Sequence, residues 1–308
     1  MSQTRAMLQR APHAWGLALA LLGAVCFSAK AVVVKLAYRH GVDASTLLAM
    51  RMLLSWPLFL GALVVVSVRS REPWNLSQRD IGLIALAGLL GYYLASLFDF
   101  MGLQYITAGL ERLILFTYPS LVLIMTCLRK RQWPARWQLA CMALSYAGLL
   151  VVYGHETVLT GANTTLGVFL VFLSAVCYAS YLMVGEELLK RLGTIRVTAL
   201  AMLVSTAAVL LQTAVQQPFS VIWNQPAPVW GWSVVNALLC TFVPVFAVMT
   251  AISLIGAQRV SQMGMVGPIA TILLGTVALN EPFTVWHATG TGLVLAGVAL
   301  LSFKRPAA

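Results

Sequence analysis

The sequence predicts an all-α polytopic membrane protein of ten transmembrane helices, and three observations predict it. Ten apolar stretches follow one another, each about as long as the 20 residues an α-helix needs to cross a bilayer. Few charges interrupt them. The segments between them are too short to hold a soluble domain, the longest being the one around QQPFSVIWNQPAP. Of 308 residues, 60% are hydrophobic and 9% charged, and the mean hydropathy of +0.87 lies outside the range of water-soluble domains.

Each span is bounded by polar or Pro/Gly clusters. The first, 14 to 38, follows Arg5 and Arg10 and carries Lys30 and Lys35. The second and third, 45 to 68 and 80 to 102, hold Arg51 and Asp99. The fourth, 106 to 127, contains the adjacent Glu111 and Arg112 within GLERLILFTYP, and the fifth, 136 to 154, ends ahead of His155 and Glu156. The sixth to tenth, 164 to 189, 194 to 214, 229 to 253, 257 to 279 and 283 to 303, are freer of charge. A basic start, an apolar run and Ala29-Lys30-Ala31 also have the form of a cleavable leader. A twin of this span deeper in the chain argues against cleavage.

The net charge of +11 is distributed as topology rather than as a nucleic-acid face. With the N-terminus inside, the cytoplasmic segments carry Arg5, Arg10, Arg69, Arg71, Arg79, Arg129, Lys130, Arg131, Arg136, Lys190, Arg191, Arg196, Arg259, Lys304 and Arg305. External loops carry only Arg39. This imbalance places both termini in the cytoplasm of a bacterial-type inner membrane. The five cysteines all fall within apolar spans, with neither a CxxC pair nor a nearby histidine pair, so neither a metal site nor a disulfide framework is expected.

The chain repeats itself. AVCFS at 24–28 returns as AVCYAS at 175–180, and Gly16 returns as Gly167. An offset of 149 pairs Ile106 with Ile255, Ala108 with Ala257, Pro119 with Pro268, Trp137 with Trp286 and Gly148 with Gly297. Each half, 1–154 and 155–308, holds five spans, an odd number, so the second half must enter the membrane from the opposite side. Inverted repeats of this kind are characteristic of secondary transporters, whose site lies at the repeat interface.

The segments KLAYRHGVDASTLLAMRMLLSWP, LFDFMGLQYITAGLERLILFTYPSLV, IGAQRVSQMGMVGPIATILLG and LNEPFTVWHATGTGLVLAGVAL resemble the EamA-type permeases of the drug/metabolite transporter superfamily. The resemblance covers nearly the whole chain. It implies ten helices in two inverted five-helix repeats and export of small metabolites, often amino acids, without a nucleotide-driven motor or other cofactor. It implies no particular cargo.

Charge within the spans is the main pointer to a site, because an ionised side chain near the bilayer centre costs roughly 2.5 to 3.5 kcal/mol on insertion scales. Lys30, Lys35, Arg51, Asp99, Glu111 and Arg112 all fall in the outer part of their spans. Four are basic and two acidic, and the second repeat has Tyr181, Val248, Val260 and Ser261 at the positions matching Lys30, Asp99, Glu111 and Arg112. One reading is an ion-pair network of Arg51, Asp99, Glu111 and Arg112 tying spans 2 to 4, with Lys35 reaching to the interface. The other is an outward cavity whose surplus positive charge receives an anion, with Glu111 carrying a proton. Adjacent helical residues point about 100° apart, so Glu111 and Arg112 serve different directions.

Further candidates are Tyr92 with Tyr93, Phe116 with Tyr118, and Tyr178 with Tyr181 as an aromatic pocket, and Pro119 and Pro268 as matched helix bends. Ala288, Gly292 and Ala296 recur every four residues, as helix packing within one protomer, a seam between the halves or a dimer contact. His155 and Glu156 read as a solvated loop pair. The search for GxSxG, HExxH, a Cys/His pair or a nucleotide-binding GxxxxGK[ST] finds none. The expected function is therefore a permease exporting a small metabolite, most simply an amino acid or related carboxylate, by alternating access. Its partners are that cargo and the bilayer, as monomer or homodimer and without nucleic acid. The alternatives are efflux of organic cations and, in another class, a membrane receptor or assembly subunit.

Overall fold

A computed structural model describes residues 2–70, 76–160 and 163–303. Of the cationic residues read as cytoplasmic, Arg71, Lys304 and Arg305 lie outside these. The helices are α1 (Ser2–Tyr38), α2 (Ala44–Ser70), α3 (Gln78–Gly102), α4 (Ala108–Lys130) and α5 (Arg136–Thr160). They continue as α6 (Thr164–Leu192), α7 (Thr194–Gln216), α8 (Ala227–Ile255), α9 and α10 (Val285–Phe303). The ninth helix comprises Ala257–Gly264, Val266–Leu274 and the π turn Gly275–Leu279. Ten helices among the described residues are long and apolar enough to cross a membrane.

Sequence sets where these helices start. Asp43 accepts from the backbone of Ser45 and Thr46 at the start of α2. Ser77 and Asp80 form a reciprocal capping box at the start of α3, and the Thr107 side chain accepts from Leu110 N–H to begin α4. Such caps satisfy amide groups that the first helical turn leaves without a partner.

Packing joins the two halves helix by helix: α1 lies on α8, α2 on α7, α3 on α6, α4 on α9 and α5 on α10. Exchanging the halves maps this set of contacts onto itself. The α5–α10 seam is made by Gly148, Gly290 and Gly297, whose missing side chains let the backbones meet. The stripe of Ala288, Gly292 and Ala296 does not form it: these residues are exposed on the other face of α10. A spacing of four marks one face without saying which face is inward, so packing within one protomer fails for this stripe.

Four helices are interrupted at matched places. α3 and α8 widen into π turns at Gly88–Leu94 and Leu238–Phe242, positions that nearly coincide under the 149-residue offset. α4 breaks after Leu115, four residues before Pro119, and α9 breaks after Gly264, four residues before Pro268. Proline lacks an amide hydrogen and clashes with the carbonyl four residues earlier, which ends each first segment at that carbonyl. The charged residues of α4, Glu111 and Arg112, therefore sit on a short half-helix, Ala108–Leu115, rather than on a continuous rod.

One end of the bundle, called here the far end, holds the last residues of α1, α3, α5 and α9 and the first of α2, α4 and α10. α5 runs through Thr160, so His155 and Glu156 are helical. Glu156 is fully buried. The expectation of a solvated loop pair is overturned, because the helix continues past the last apolar residue by which its end was judged.

Candidate functional site

Lys30 of α1 is the hub of the buried charges. Its Nζ lies 2.6 Å from Asp99 Oδ2 of α3 and 3.2 Å from Glu111 Oε1 of α4. The two carboxylate side chains are 2% and 0% exposed and that of Lys30 16%, so the ion pair is largely shielded from water. The network thus ties α1, α3 and α4. It does not run through Arg51 and Arg112 as one reading of the sequence expected.

Arg51 forms no ion pair with the carboxylates among the described residues, although it lies near enough to Asp99 to interact electrostatically. It donates to Ser96 Oγ at 2.8 Å, and its guanidinium carbon stands 5.0 Å from the centre of the Phe100 ring. A cation over an aromatic face is held by the ring's quadrupole, which accounts for a nearly buried arginine with no ion pair among the described residues.

Arg112 points the other way round α4 from Glu111, as their angular spacing requires. Its side chain lies against Gly267 of α9: a β-carbon at Gly267 would stand 2.9 Å from Arg112 Nη2 and 3.3 Å from Ser28 Oγ. Gly267 is the repeat mate of Tyr118, so the second half leaves open the volume that the first half fills with a ring. Arg112 Nε is buried and has no hydrogen-bond partner. Among the described residues Arg112 forms no ion pair, although it lies near enough to Glu111, Tyr118 and Tyr178 to interact electrostatically.

The tyrosines form one row. Tyr118 meets Tyr178 edge to face with ring centres 5.3 Å apart, Tyr178 lies 5.8 Å from Tyr181, and Tyr181 meets Tyr92 at 5.3 Å. The hydroxyls of Tyr92 and Tyr181 are 3.2 Å apart, and Phe116 extends the row beyond Tyr118. Gly91 makes room for the Tyr181 ring. Tyr93 instead lines an open groove on α7 with Ala208, Leu211 and Val215.

The far end carries a second polar group that the sequence reading missed. Lys35 does not reach to the interface: its Nζ donates to Ile106 O at 2.7 Å and pairs with Glu281 Oε1 at 3.0 Å. Both Glu281 oxygens accept from Ala108 N–H, at 3.0 and 3.1 Å. Glu156 accepts from the Thr107 amide and hydroxyl and lies 3.5 Å from His287 Nε2. The count of surplus positive charge changes accordingly. Glu281 neutralises Lys35, leaving Lys30, Arg51 and Arg112 against Asp99 and Glu111, a surplus of one rather than two.

A ten-helix bundle whose helices break beside a buried charged cluster is the architecture of a membrane transporter. The chain belongs to the EamA-like transporter family, which matches residues 14–154 and again 165–303. A Bacillus subtilis protein named as the uncharacterized transporter YcbK is 31% identical over 289 residues, 92% of each chain. An uncharacterized transporter of Archaeoglobus fulgidus is 24% identical over 244 residues, 79% of this chain and 83% of that one. A solved crystal structure covering 92% of this chain and 95% of its own superimposes with a TM-score of 0.62 at 16% identity, a likeness in fold alone. The protein is thus a multi-pass membrane transporter.

Gly267→Ala is expected to lower transport by about tenfold or more while leaving folded yield unchanged. The new methyl group meets chiefly the flexible end of Arg112, which yields cheaply, with Ser28 Oγ next at 3.3 Å, and small displacements of a positioned group cost large factors in rate. Transport and detergent-extracted monodisperse yield, measured side by side, check this; equal losses in both would make the contact merely structural.

Proposed function

We propose that this chain is a secondary transporter that exports a small carboxylate of the amino-acid class by alternating access. The halves 1–154 and 155–308 act as inverted repeats, with both termini in the cytoplasm of a bacterial-type inner membrane. The far end is then the external one.

The observation that carries this reading is Arg112. A guanidinium offers five donors in a planar fork that matches a carboxylate, yet here it is held among α4, α9 and the tyrosine row with no ion pair among the described residues and its Nε without a hydrogen-bond partner. A structural arginine in a membrane span finds an acid, a carbonyl or, as Arg51 does, a hydroxyl and an aromatic face. This one is left to pair with cargo. The proline breaks next to it on α4 and opposite it on α9 free backbone groups at the same level, as substrate sites in transporters of this architecture require. Lys30, Asp99 and Glu111 form the adjoining coupling group: an ammonium drawn from Glu111 leaves a buried carboxylate that takes up a proton.

The tyrosine row favours a second reading, in which flat organic cations stack on Tyr118, Tyr178 and Tyr181. The surplus of basic charge beside them opposes it.

Counterflow in proteoliposomes decides between the two. Vesicles preloaded with amino acids, dicarboxylates or aromatic cations are tested for uptake of labelled tracer. Exchange of amino acids is expected, falling about a hundredfold in Arg112→Gln, the scale of losing one charged partner of a desolvated pair. Arg112→Lys should retain part of it. Folded stability should hold or rise in Arg112→Gln, because removing a charge that has no ion partner relieves a cost, and should hold in Arg112→Lys, which keeps the charge. Exchange of cations alone would overturn the carboxylate reading.

A further inference from the structure

The two ends of the bundle are closed by different groups. At the near end, α1 meets α8 and α9 through apolar contact, Ala20 packing with Ala251, Ile255 and Val260, while Arg191 of α6 donates to both oxygens of Asp80 of α3 and ties the halves there by an ion pair of 2.9 Å. There Gly256 begins α9 without any side-chain cap. At the far end the closure is ionic and runs between elements of opposite halves. Glu281, in the connection from α9 to α10, sits over the N-terminus of α4 and takes Ala108 N–H and Lys35 of α1 together. Arg39, just past α1, donates to Leu279 O at 2.9 Å.

Local sequence builds this contact. Asn280 adopts the left-handed region at φ 58° and ends α9, a conformation that asparagine tolerates better than most residues. The chain then doubles back, with Glu281 N–H donating to Gly275 O. Gly275 leaves room for the carboxylate: a β-carbon there would lie 2.8 Å from Glu281 Oε2. The repeat mates of Thr107 and Glu281 are Gly256 and the exposed Gln132, so these two matching positions supply neither a side-chain cap nor an acid.

We infer that Glu281 and Lys35 are the latch of the external gate, positioning residues that hold the far end shut and must part for cargo to leave. This rests on the alternating-access reading above. The pair is suited to the task because its side chains are 15% and 24% exposed, at the edge of the bundle where water can replace each partner. Separation frees α1 and the α4 half-helix from the α9–α10 connection, and these carry Lys30, Glu111 and Arg112 on one side and Gly267 on the other.

The test is a distance across the gate. Spin labels are placed at the exposed positions His40 and Phe283, as His40→Cys and Phe283→Cys, in a full-length chain whose five cysteines have been replaced. Glu281→Gln and Lys35→Gln are each expected to add a longer-distance population, raising the ratio of open to closed protein about tenfold. The double variant should open no further than either single one, since both remove the same pair. Wild-type distance distributions in folded single variants would overturn the latch. Failure of both single variants to fold would also overturn it, making the pair a strut. The distances need no cargo, so a failed counterflow panel would remove the carboxylate reading and leave this result standing.

Discussion

Lys30→Met is expected to remove most of the folded protein. The substitution keeps the length of the side chain and deletes the ammonium that Asp99 and Glu111 share, at 2.6 and 3.2 Å. Breaking a buried pair by removing one partner costs about 3 to 5 kcal/mol, because a charge is left buried and uncompensated. Here two carboxylates are left, and Asp99 Oδ1 and Glu111 Oε2 already lack a hydrogen-bond partner. Folded proteins have only about 5 to 15 kcal/mol in hand, so a loss of this size shows as a large fall in extractable yield and melting temperature. The companion variant Lys30→Met, Asp99→Asn, Glu111→Gln removes all three charges. It is expected to fold close to wild type and to remain inactive in counterflow. That pair of results would separate the cluster's cost to the fold from its use in transport; a triple variant that folds no better than Lys30→Met would make the ion pair itself the structural tie.

How much of this site was legible in the sequence depends on how far each residue's surroundings are local. Lys30, Arg51, Asp99, Glu111 and Arg112 stood out because a charge inside an apolar run has few explanations. Their common level followed from counting residues along each helix. Which acid meets which base did not, because helix azimuth and the choice of neighbours are tertiary: Lys30 rather than Arg51 proved to be the hub. The angular argument for Glu111 and Arg112 needed only helix geometry, and the two side chains do point to different neighbours, α1 and α9.

The far-end group was missed for a different reason. Glu281 lies in a connection, and Glu156 lies beyond the last apolar residue of its span, so hydropathy assigned both to water. Their burial arises from Asn280 turning the chain back over α4 and from α5 running on to Thr160. The proline-linked breaks in α4 and α9 were legible because proline forbids a specific hydrogen bond. The π turn in α3 carries no comparable residue signal, whereas the one in α8 stands just ahead of Pro244, and the repeat offset links the two.

The same repeat offset leads to the largest expected effect outside the charged cluster. Gly148 and Gly297 are repeat mates, and each meets the backbone of the opposite helix in the α5–α10 seam. A β-carbon at Gly148 would lie 2.6 Å from Gly290 O and 2.9 Å from Val294 N, and one at Gly297 would lie 2.8 Å from Ser145 N. Real β-carbons do not come so close to backbone, and backbone within a helix cannot step aside as a side-chain tip can. Gly148→Val and Gly297→Val must therefore push α5 and α10 apart, at about 1 to 3 kcal/mol or more for forced overpacking. Gly292→Val, with nothing within 4 Å of the new atom, should change stability by no more than about 0.5 kcal/mol. Thermal unfolding of the purified variants checks all three. The double variant Gly148→Val, Gly297→Val should lose less than the sum of the singles, since helices already parted by one valine meet the second at reduced cost. Strict additivity would mean that each glycine is accommodated locally and that α5 and α10 do not move as rigid neighbours.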